Sequence, residues 1–134
     1  MNSFNHYSFG AVGAWMLSHS LGIQRDENSP GFKHFILAPE PDPTHQMTYA
    51  RGHYDSMYGE IESNWNRKDR RCVYHFRVPA NTSATLYLSA PVAGNIQTSK
   101  GLFSSSAGVK YIGKRNDKFV FTLSSGIYDL WVNE

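Results

Sequence analysis

The sequence predicts a mainly β fold, an antiparallel β-sandwich preceded by one N-terminal α-helix. Two observations predict it. Short segments in which apolar and polar residues alternate, the period of a half-buried strand, fill most of the chain after residue 31. An apolar stretch near the N-terminus has helical spacing instead, and no long helix separates the strands. Parallel βαβ units are therefore not expected.

The predicted helix covers residues 9–21, FGAVGAWMLSHSL. Ser8 stands before it as a helix N-cap, and Gly22 follows it in the position that favours glycine. The segment has no Asp, Glu, Lys or Arg and is apolar on nearly every side. That pattern is typical of a helix buried on nearly every side, so we expect it to need neighbours that are not obvious in this sequence.

Alternation along the chain predicts the strands. The clearest segment is 71–78, where Cys72, Tyr74, Phe76 and Val78 share one face. The other predicted strands cover residues 32–38, 47–54, 58–66, 84–88, 109–114, 118–123 and 126–133. Turns are expected at residues 67–70, 79–82 and 116–117, and the prolines at positions 39, 41 and 43 predict an irregular loop.

Composition and charge exclude several classes. With 14% aromatic and 18% charged residues, the chain does not resemble a disordered protein. A net charge of +2 is too small to indicate nucleic-acid binding, and no apolar run approaches the roughly 20 residues that cross a bilayer. The first ten residues lack the pattern of a signal peptide. We expect neither nucleic acid nor membrane as a partner, and assign no compartment.

Few residues have the spacing of a catalytic or metal site. The six histidines form no recognised ligand motif, so we expect no metal and no cofactor. Glu60 and Glu62 would share one strand face about 7 Å apart, inside the range for an inverting glycosidase. Neighbouring acids on a polar strand face are usually solvated, and we interpret them so. Cys72, the one cysteine, is interpreted as a core side chain.

Two polar segments have structural interpretations that we favour. Four cations, Arg67, Lys68, Arg70 and Arg71, surround Asp69 and are interpreted as a hairpin tip rather than a nucleic-acid contact. The glycosylation-like triplet at residues 81–83 is interpreted as a turn.

The aromatic residues allow two interpretations. Exposed rings stack on the apolar faces of sugars, whereas buried rings build cores. We favour the core for Trp65 and Trp131. At the N-terminus, His6 lies between Asn5 and Tyr7 just before the predicted helix. Its ring could bond to ligand hydroxyl groups or cap the helix, and composition alone does not separate the two.

Five segments in order resemble one family. They are NSFNHYSFGAVGAWMLSHSLGI, PGFKHFILAPEP, YARGHYDSMYGEIESNW, RVPANTSATLYL and SSGIYDLWV. Together they resemble the C-terminal part of bacterial α-L-rhamnosidases of glycoside hydrolase family 78. The likeness covers nearly the whole chain.

The resemblance implies a domain organisation. In that family an (α/α)₆ catalytic barrel is followed by a C-terminal antiparallel β-sandwich. Residues 1–23 would then be the terminal loop and helix of an incomplete barrel, and residues 24–134 the sandwich. The missing barrel would be the partner of the apolar helix. Without it, we expect the helix to pair two chains as a homodimer or to fold back on its own sandwich.

The resemblance also implies a function. Family members hydrolyse terminal α-L-rhamnosides, with inversion, in rhamnose-containing glycosides and polysaccharides. Both catalytic acids lie upstream of the segment matched here, so we expect no catalytic residue and no activity in this chain alone. His6 matches the family histidine that contacts the sugar, while Asn5 and Tyr7 match neighbours that support its loop. The alternative is a stand-alone carbohydrate-binding or interaction module, and a third interpretation is a scaffold domain that only braces the barrel.

Overall fold

A computed structural model describes residues 20–41, 46 and 48–134, and these residues build a mainly β structure of nine strands. The strands are β1 (Ile23–Arg25), β2 (His34–Leu37), β3 (Tyr49–Ser56), β4 (Gly59–Lys68), β5 (Arg71–Leu88), β6 (Ile96–Thr98), β7 (Gly101–Leu102), β8 (Val109–Arg115) and β9 (Lys118–Asn133). Three single-turn 3₁₀ helices lie at Pro30–Phe32, Ala93–Asn95 and Phe103–Ser105.

The predicted N-terminal helix is not supported by the described residues. They contain no α-helix, and residues 9–19 of the prediction lie outside them. Gly22 has φ +73°, a left-handed conformation that favours glycine. A Cβ at this position would stand about 2 Å from the Ala38 carbonyl group, so the close approach of the two backbones also requires glycine. None of the helices among the described residues has the length and apolar character needed to span a membrane.

The two longest strands, β5 and β9, organise the sheet. The first part of β5 pairs with β4 and with the end of β9, and β3 and β6 extend this half on either side. The second part of β5 pairs with β2 and with the start of β9, and β1 and β8 lie outside those strands. All nine strands thus belong to one hydrogen-bonded sheet whose two halves share β5 and β9.

Two expected breaks, the turn at residues 79–82 and the gap between the predicted strands at residues 124–125, lie instead inside long strands. Residues 79–82 do not separate two strands: β5 continues through them with a register shift between Val78 and Ser83. Asn81 has φ +64° there, and the buried Thr82 hydroxyl donates to the Pro79 carbonyl at 2.7 Å. Likewise β9 runs unbroken across residues 124–125. A bulge lets a strand bend without losing its partner, which alternation and turn residues alone do not reveal.

One strand pair departs from the antiparallel prediction. β2 and β5 run parallel, with Phe35 opposite Ala84 and Leu37 opposite Leu86. The chain leaves β2, builds the β3–β4 hairpin and enters β5 before it returns to the side of β2. Such a long connection allows either direction, whereas only short hairpins force strands to be antiparallel. The tight turns were predicted correctly: Asp69 with Arg70, and the pair at 116–117, have positive φ at both central residues.

The inward faces of both halves build one core. The predicted faces are confirmed: Ile61, Trp65, Cys72, Tyr74 and Phe76 are all buried. The same cluster includes residues from the other half, which are Phe35, Leu37, Ala84, Leu86, Leu88, Phe121 and Leu123. Phe103 joins the halves, because its ring lies 4.9 Å from Phe121 and 6.4 Å from Tyr128.

The first described residues, 20–22, form what we call the entry segment, and they are fixed to this core. Trp65 Nε1 donates to the Ser20 carbonyl at 2.9 Å, and Ser63 Oγ donates to the Leu21 carbonyl at 2.6 Å. The amides of Ala38 and Glu40 donate to the carbonyls of the entry segment as well. Buried side-chain donors therefore hold the backbone where the chain enters the sheet.

Candidate functional site on the outer face of the sheet

The site residues predicted from the sequence cannot be placed. His6, Asn5 and Tyr7 lie outside the described residues, so their roles stay predictions. Among the described residues, polar and titratable side chains gather on the face of β3, β4, β5 and β9 that points away from the core. We call this face the outer face.

Strand alternation and register order the outer face into rows across the strands. One row aligns Tyr49, Asn66, Val73 and Trp131. The next aligns Arg51, Asn64, His75 and Asp129, and a third aligns His53, Glu62, Arg77 and Ile127. Because side chains two residues apart share a face and neighbouring strands lie about 4.8 Å apart, each row brings side chains into contact range.

An ion-paired network occupies the second and third rows. His75 Nδ1 lies 2.6 Å from Asp129 Oδ1, and His75 Nε2 lies 3.4 Å from Glu62 Oε1. Arg77 Nε donates to the same Glu62 oxygen at 3.2 Å. Partial burial lowers the pKa of His75, but the hydrogen bonds and charges of Asp129 and Glu62 outweigh it, so the net pKa is raised. The network thus favours a charged imidazolium.

The two glutamates weighed as a catalytic pair lie within this network. Glu62 contacts Arg77 and His75, and Glu60 lies 4.0 Å from Arg77 Nε. They share one face as predicted, and both are held against cations rather than across a substrate cavity. The ion pairs were not part of the interpretation of these acids as solvated side chains.

A second group of side chains places three possible metal ligands close together. One ligand atom each from His53, Asp55 and Glu60 lies within 4.8 Å of the others. His53 and Asp55 are exposed, and the Arg77 guanidinium lies 4.0 Å from Glu60. A cation already placed beside one carboxylate competes with a metal ion for it. We therefore assign no metal to this grouping.

A shallow cleft of about 350 Å³ crosses the first two rows, and we call it the outer-face cleft. Its solvent-facing side chains are Tyr49, Arg51, Asn64, Asn66, Val73 and His75. Its volume lies at the lower end of the range of small-molecule sites, about 300–1,000 Å³. The sheet itself forms the floor, so the lining side chains stand on regular strands and not on loops.

Several polar groups of the cleft have no partner among the described residues. Asn64 Oδ1 accepts from the Gly52 amide at 3.1 Å, which fixes the side chain and leaves its NH₂ group available. The side chains of Tyr49, Arg51 and Asn66 make no hydrogen bond or ion pair with any part of the chain that the structure describes. These groups are able to bind a ligand without breaking an existing contact.

The single cysteine is not a candidate nucleophile. Cys72 is buried, 2% exposed, on the inward face as predicted. Burial raises the pKa of its thiol, and hydrogen bonding to Tyr74 and the charge of Arg67 only partly oppose this. A protonated and enclosed thiol is unreactive.

The two tryptophans have different environments. Trp65 is a core residue as predicted, 1% exposed. The core interpretation is wrong for Trp131, which alternates with the buried Leu130 and Val132 and so lies on the outer face. Its ring is half-buried beneath the Arg71 guanidinium, 4.7 Å from the ring centroid. The cationic segment is otherwise the predicted hairpin, with its turn at Asp69 and Arg70.

Sequence reasoning missed the outer-face cleft. The signal was present in β3, where Tyr49 and Arg51 alternate with the smaller Ala50 and Gly52. That pattern puts the large side chains on one face, but it does not reveal which residues of β4 and β5 stand beside them. Only the register brings Asn66 and His75 next to β3.

The comparisons with known proteins agree with one another. The α-L-rhamnosidase of Streptomyces avermitilis is 32% identical over 103 residues, which is 77% of this chain and 10% of that protein. An α-L-rhamnosidase of Formosa agariphila is 29% identical over 129 residues, 96% of this chain and 14% of that protein.

Solved structures that resemble this chain are α-L-rhamnosidases as well. The S. avermitilis α-L-rhamnosidase, crystallised with L-rhamnose, superimposes with a TM-score of 0.76 and 27% identity, over 99% of this chain and 12% of that one. The α-L-rhamnosidase of Dictyoglumus thermophilum shares the fold, with a TM-score of 0.75 and 24% identity over all of this chain and 15% of that one. The chain thus spans only 10–15% of the length of these relatives. The family model described as bacterial alpha-L-rhamnosidase C-terminal domain matches residues 22–103, and the chain belongs to that family.

Proposed function

We propose that this chain works as the C-terminal domain of a longer α-L-rhamnosidase, where it braces the catalytic domain and supplies no catalytic acid or base. Family membership supports the proposal, as do relatives that are α-L-rhamnosidases about seven to eight times its length. The partner of the domain would be an (α/α)₆ barrel, and the substrate of the whole protein a rhamnose-containing glycoside or polysaccharide.

The observation that carries the bracing role is the fixed entry segment. The Trp65 indole and the Ser63 hydroxyl, both buried, donate to the carbonyls of Ser20 and Leu21. A backbone held in this way cannot act as a flexible linker, because its hydrogen bonds would have to break for the preceding residues to reorient. The entry segment itself is therefore fixed on the sheet, as a bracing domain requires.

For the residues before the entry segment, we propose the arrangement that the resemblance implies. Residues 1–23 would end the barrel and residues 24–134 would form an antiparallel β-sandwich that contains the one parallel pair described above. His6 would contact the sugar, with Asn5 and Tyr7 as loop support. The apolar helix over residues 9–21 would pack against the barrel, and in the isolated chain it would pair two copies. Light scattering of the purified chain tests that pairing, and a monomer whose first 22 residues are rapidly proteolysed contradicts it.

The catalytic part of the proposal predicts that the purified chain does not hydrolyse an aryl α-L-rhamnoside. Inverting hydrolysis needs a carboxylic acid and a carboxylate on opposite sides of the bond, whereas Glu62 and Glu60 both lie beside Arg77. Release of the chromogenic phenol measures the activity. Turnover that disappears in Glu60→Gln or Glu62→Gln would contradict the prediction.

The bracing role is tested on the longer polypeptide that contains this chain. A version that stops at residue 22 should have a lower Tm and lose soluble expression, because the surface that the domain covers becomes exposed. An independently attached sugar-binding module predicts the opposite result, an unchanged Tm and unchanged kcat on a small aryl rhamnoside. That second result would overturn the bracing proposal.

A further inference from the structure

The outer-face cleft combines an exposed aromatic ring with an apolar neighbour. Tyr49 is 60% exposed, and its ring has no aromatic neighbour among the described residues. Val73 lies two strands away in the same row and is also exposed. Both side chains leave a large part of their surface unburied within the fold. They are available to pack against the apolar face of a ligand.

The hydrogen-bonding groups of the cleft stand beside this apolar surface. The Arg51 guanidinium offers up to five N–H donors, and Asn66 offers an amide with both donors and an acceptor. Asn64 is already oriented by the Gly52 amide, so its NH₂ group is directed without a further loss of side-chain freedom. Two neighbouring strands, β3 and β4, place these donors within about 10 Å of one another.

The remaining polar side chain, His75, is not free to bind. Both of its ring nitrogens are engaged, by Asp129 and Glu62. Both acids pair with His75, and Arg51 makes no ion pair within the described residues. The groups of the cleft that remain available are therefore neutral amides, a phenol and the Arg51 guanidinium.

We propose that the outer-face cleft is a carbohydrate-binding site that takes a pyranose unit of a glycan. The ring of Tyr49 packs on the C–H face of the sugar, and Arg51, Asn64 and Asn66 donate to its hydroxyl and ring oxygens. A pyranose has the two features that this surface matches, an apolar face and a rim of hydroxyl groups. The site consists of described residues only, and it involves no chemical step.

The test is an NMR titration of the ¹⁵N-labelled 134-residue chain. The probes are the methyl glycosides of α-L-rhamnose, D-glucose and D-galactose, with D-glucuronate as an acidic sugar. The inclusion of rhamnose rests on the proposed function, but the site does not. Saturable shifts are expected at Tyr49, Arg51, Asn64 and Asn66 with at least one neutral glycoside.

Matched variants localise the binding. Tyr49→Ala should weaken it about three- to tenfold by loss of stacking, and Arg51→Ala about tenfold or more by loss of charged hydrogen bonds. Tyr111→Ala and Arg115→Ala remove the same residue types from β8, and should leave the affinity unchanged. Circular dichroism and Tm establish that each variant is folded.

Three results would overturn the proposal. They are the absence of saturable shifts with every neutral glycoside, equal affinity in Tyr49→Ala and the native chain, and binding of glucuronate alone that added salt abolishes. The last would indicate simple ion pairing with Arg51. None of these outcomes affects the bracing role, which the truncation experiment tests by itself.

Discussion

At the scale of single residues, two histidines have different hydrogen-bond partners and therefore different structural roles. His34 is the first residue of β2, and its side chain contacts the second part of β5. Its ring nitrogens lie 2.6 Å from Ser83 Oγ and 2.8 Å from Thr85 Oγ1. It therefore connects the one parallel strand pair through side chains. His75 instead stands on the outer face between two carboxylates.

The contact of His34 predicts a loss of stability on substitution. His34→Phe keeps the ring but leaves two part-buried hydroxyl groups unpaired, which should lower the free energy of unfolding by about 1–3 kcal/mol. Urea denaturation measures the change. The control His53→Phe alters an exposed ring and should stay within about 0.5 kcal/mol. Equal effects of the two variants would contradict the role of His34.

His75 predicts a dependence of stability on pH. Its pKa is raised in the folded state, so the stabilisation is complete below the unfolded-state pKa of about 6.5 and is lost as the pH rises through the folded-state pKa. The native chain should therefore have a higher free energy of unfolding than His75→Gln, and this difference should be larger at about pH 5.5 than at about pH 8.5. The difference should stay below about 1 kcal/mol, because Asp129 is largely exposed.

Urea denaturation at both pH values measures this difference, and Asp129→Asn should reduce it. If the difference in free energy of unfolding between the native chain and His75→Gln is the same at both pH values, the stabilising role of charged His75 is refuted.

At the scale of elements, the entry segment depends on β4. Alternation puts Ile61, Ser63 and Trp65 on the inward face of this strand, so a hydroxyl and an indole are buried together beside an apolar residue. Buried donors need acceptors, and the carbonyls of Ser20 and Leu21 supply them. The strand therefore fixes the path of a segment more than 40 residues earlier in the chain.

Trp65→Phe should loosen the entry segment. The substitution removes the Nε1 donor and part of the ring, so the free energy of unfolding should fall by about 1–3 kcal/mol. Limited proteolysis should also cleave faster near residue 20. The control is Trp131→Phe, since the Nε1 of Trp131 is buried without a partner among the described residues and no hydrogen bond is lost. Faster cleavage near residue 20 in the control as well would contradict the specific role of Trp65.

At the scale of the whole molecule, β5 and β9 make the two halves interdependent. Each of these strands pairs in both halves, and one core cluster contains side chains from both. A half that unfolded alone would break the pairing of β5 with β9 and expose part of this core. The described residues should therefore unfold in a single cooperative transition.

Cys72 provides a probe of this cooperativity. It is buried in one half, while Leu86 is buried in the other. Leu86→Ala should lower the free energy of unfolding by about 2–5 kcal/mol and raise the labelling rate of Cys72 by the corresponding factor. Leu102→Ala, at an exposed side chain, should change neither quantity. Cys72 labelling that stays constant while Leu86→Ala lowers the denaturation midpoint would show that the halves unfold separately.

The local features of this protein follow from its amino-acid sequence. Period-2 alternation predicts the inward faces of β4 and β5, because side-chain direction in a strand depends only on position. Turn residues such as Asp69 with Arg70 predict the short hairpins, because their conformational preference is local. The ordered family motifs predict membership of the bacterial α-L-rhamnosidase C-terminal domain family, which the comparison confirms.

Which strands become neighbours depends on the tertiary structure. The parallel pairing of β2 with β5, the continuity of both long strands and the outer-face position of Trp131 all depend on contacts between residues far apart in the chain. The outer-face cleft does too, since Tyr49 meets Asn66 and Val73 only through the register of three strands. Local preferences do not fix register across long connections; the burial of the whole core does.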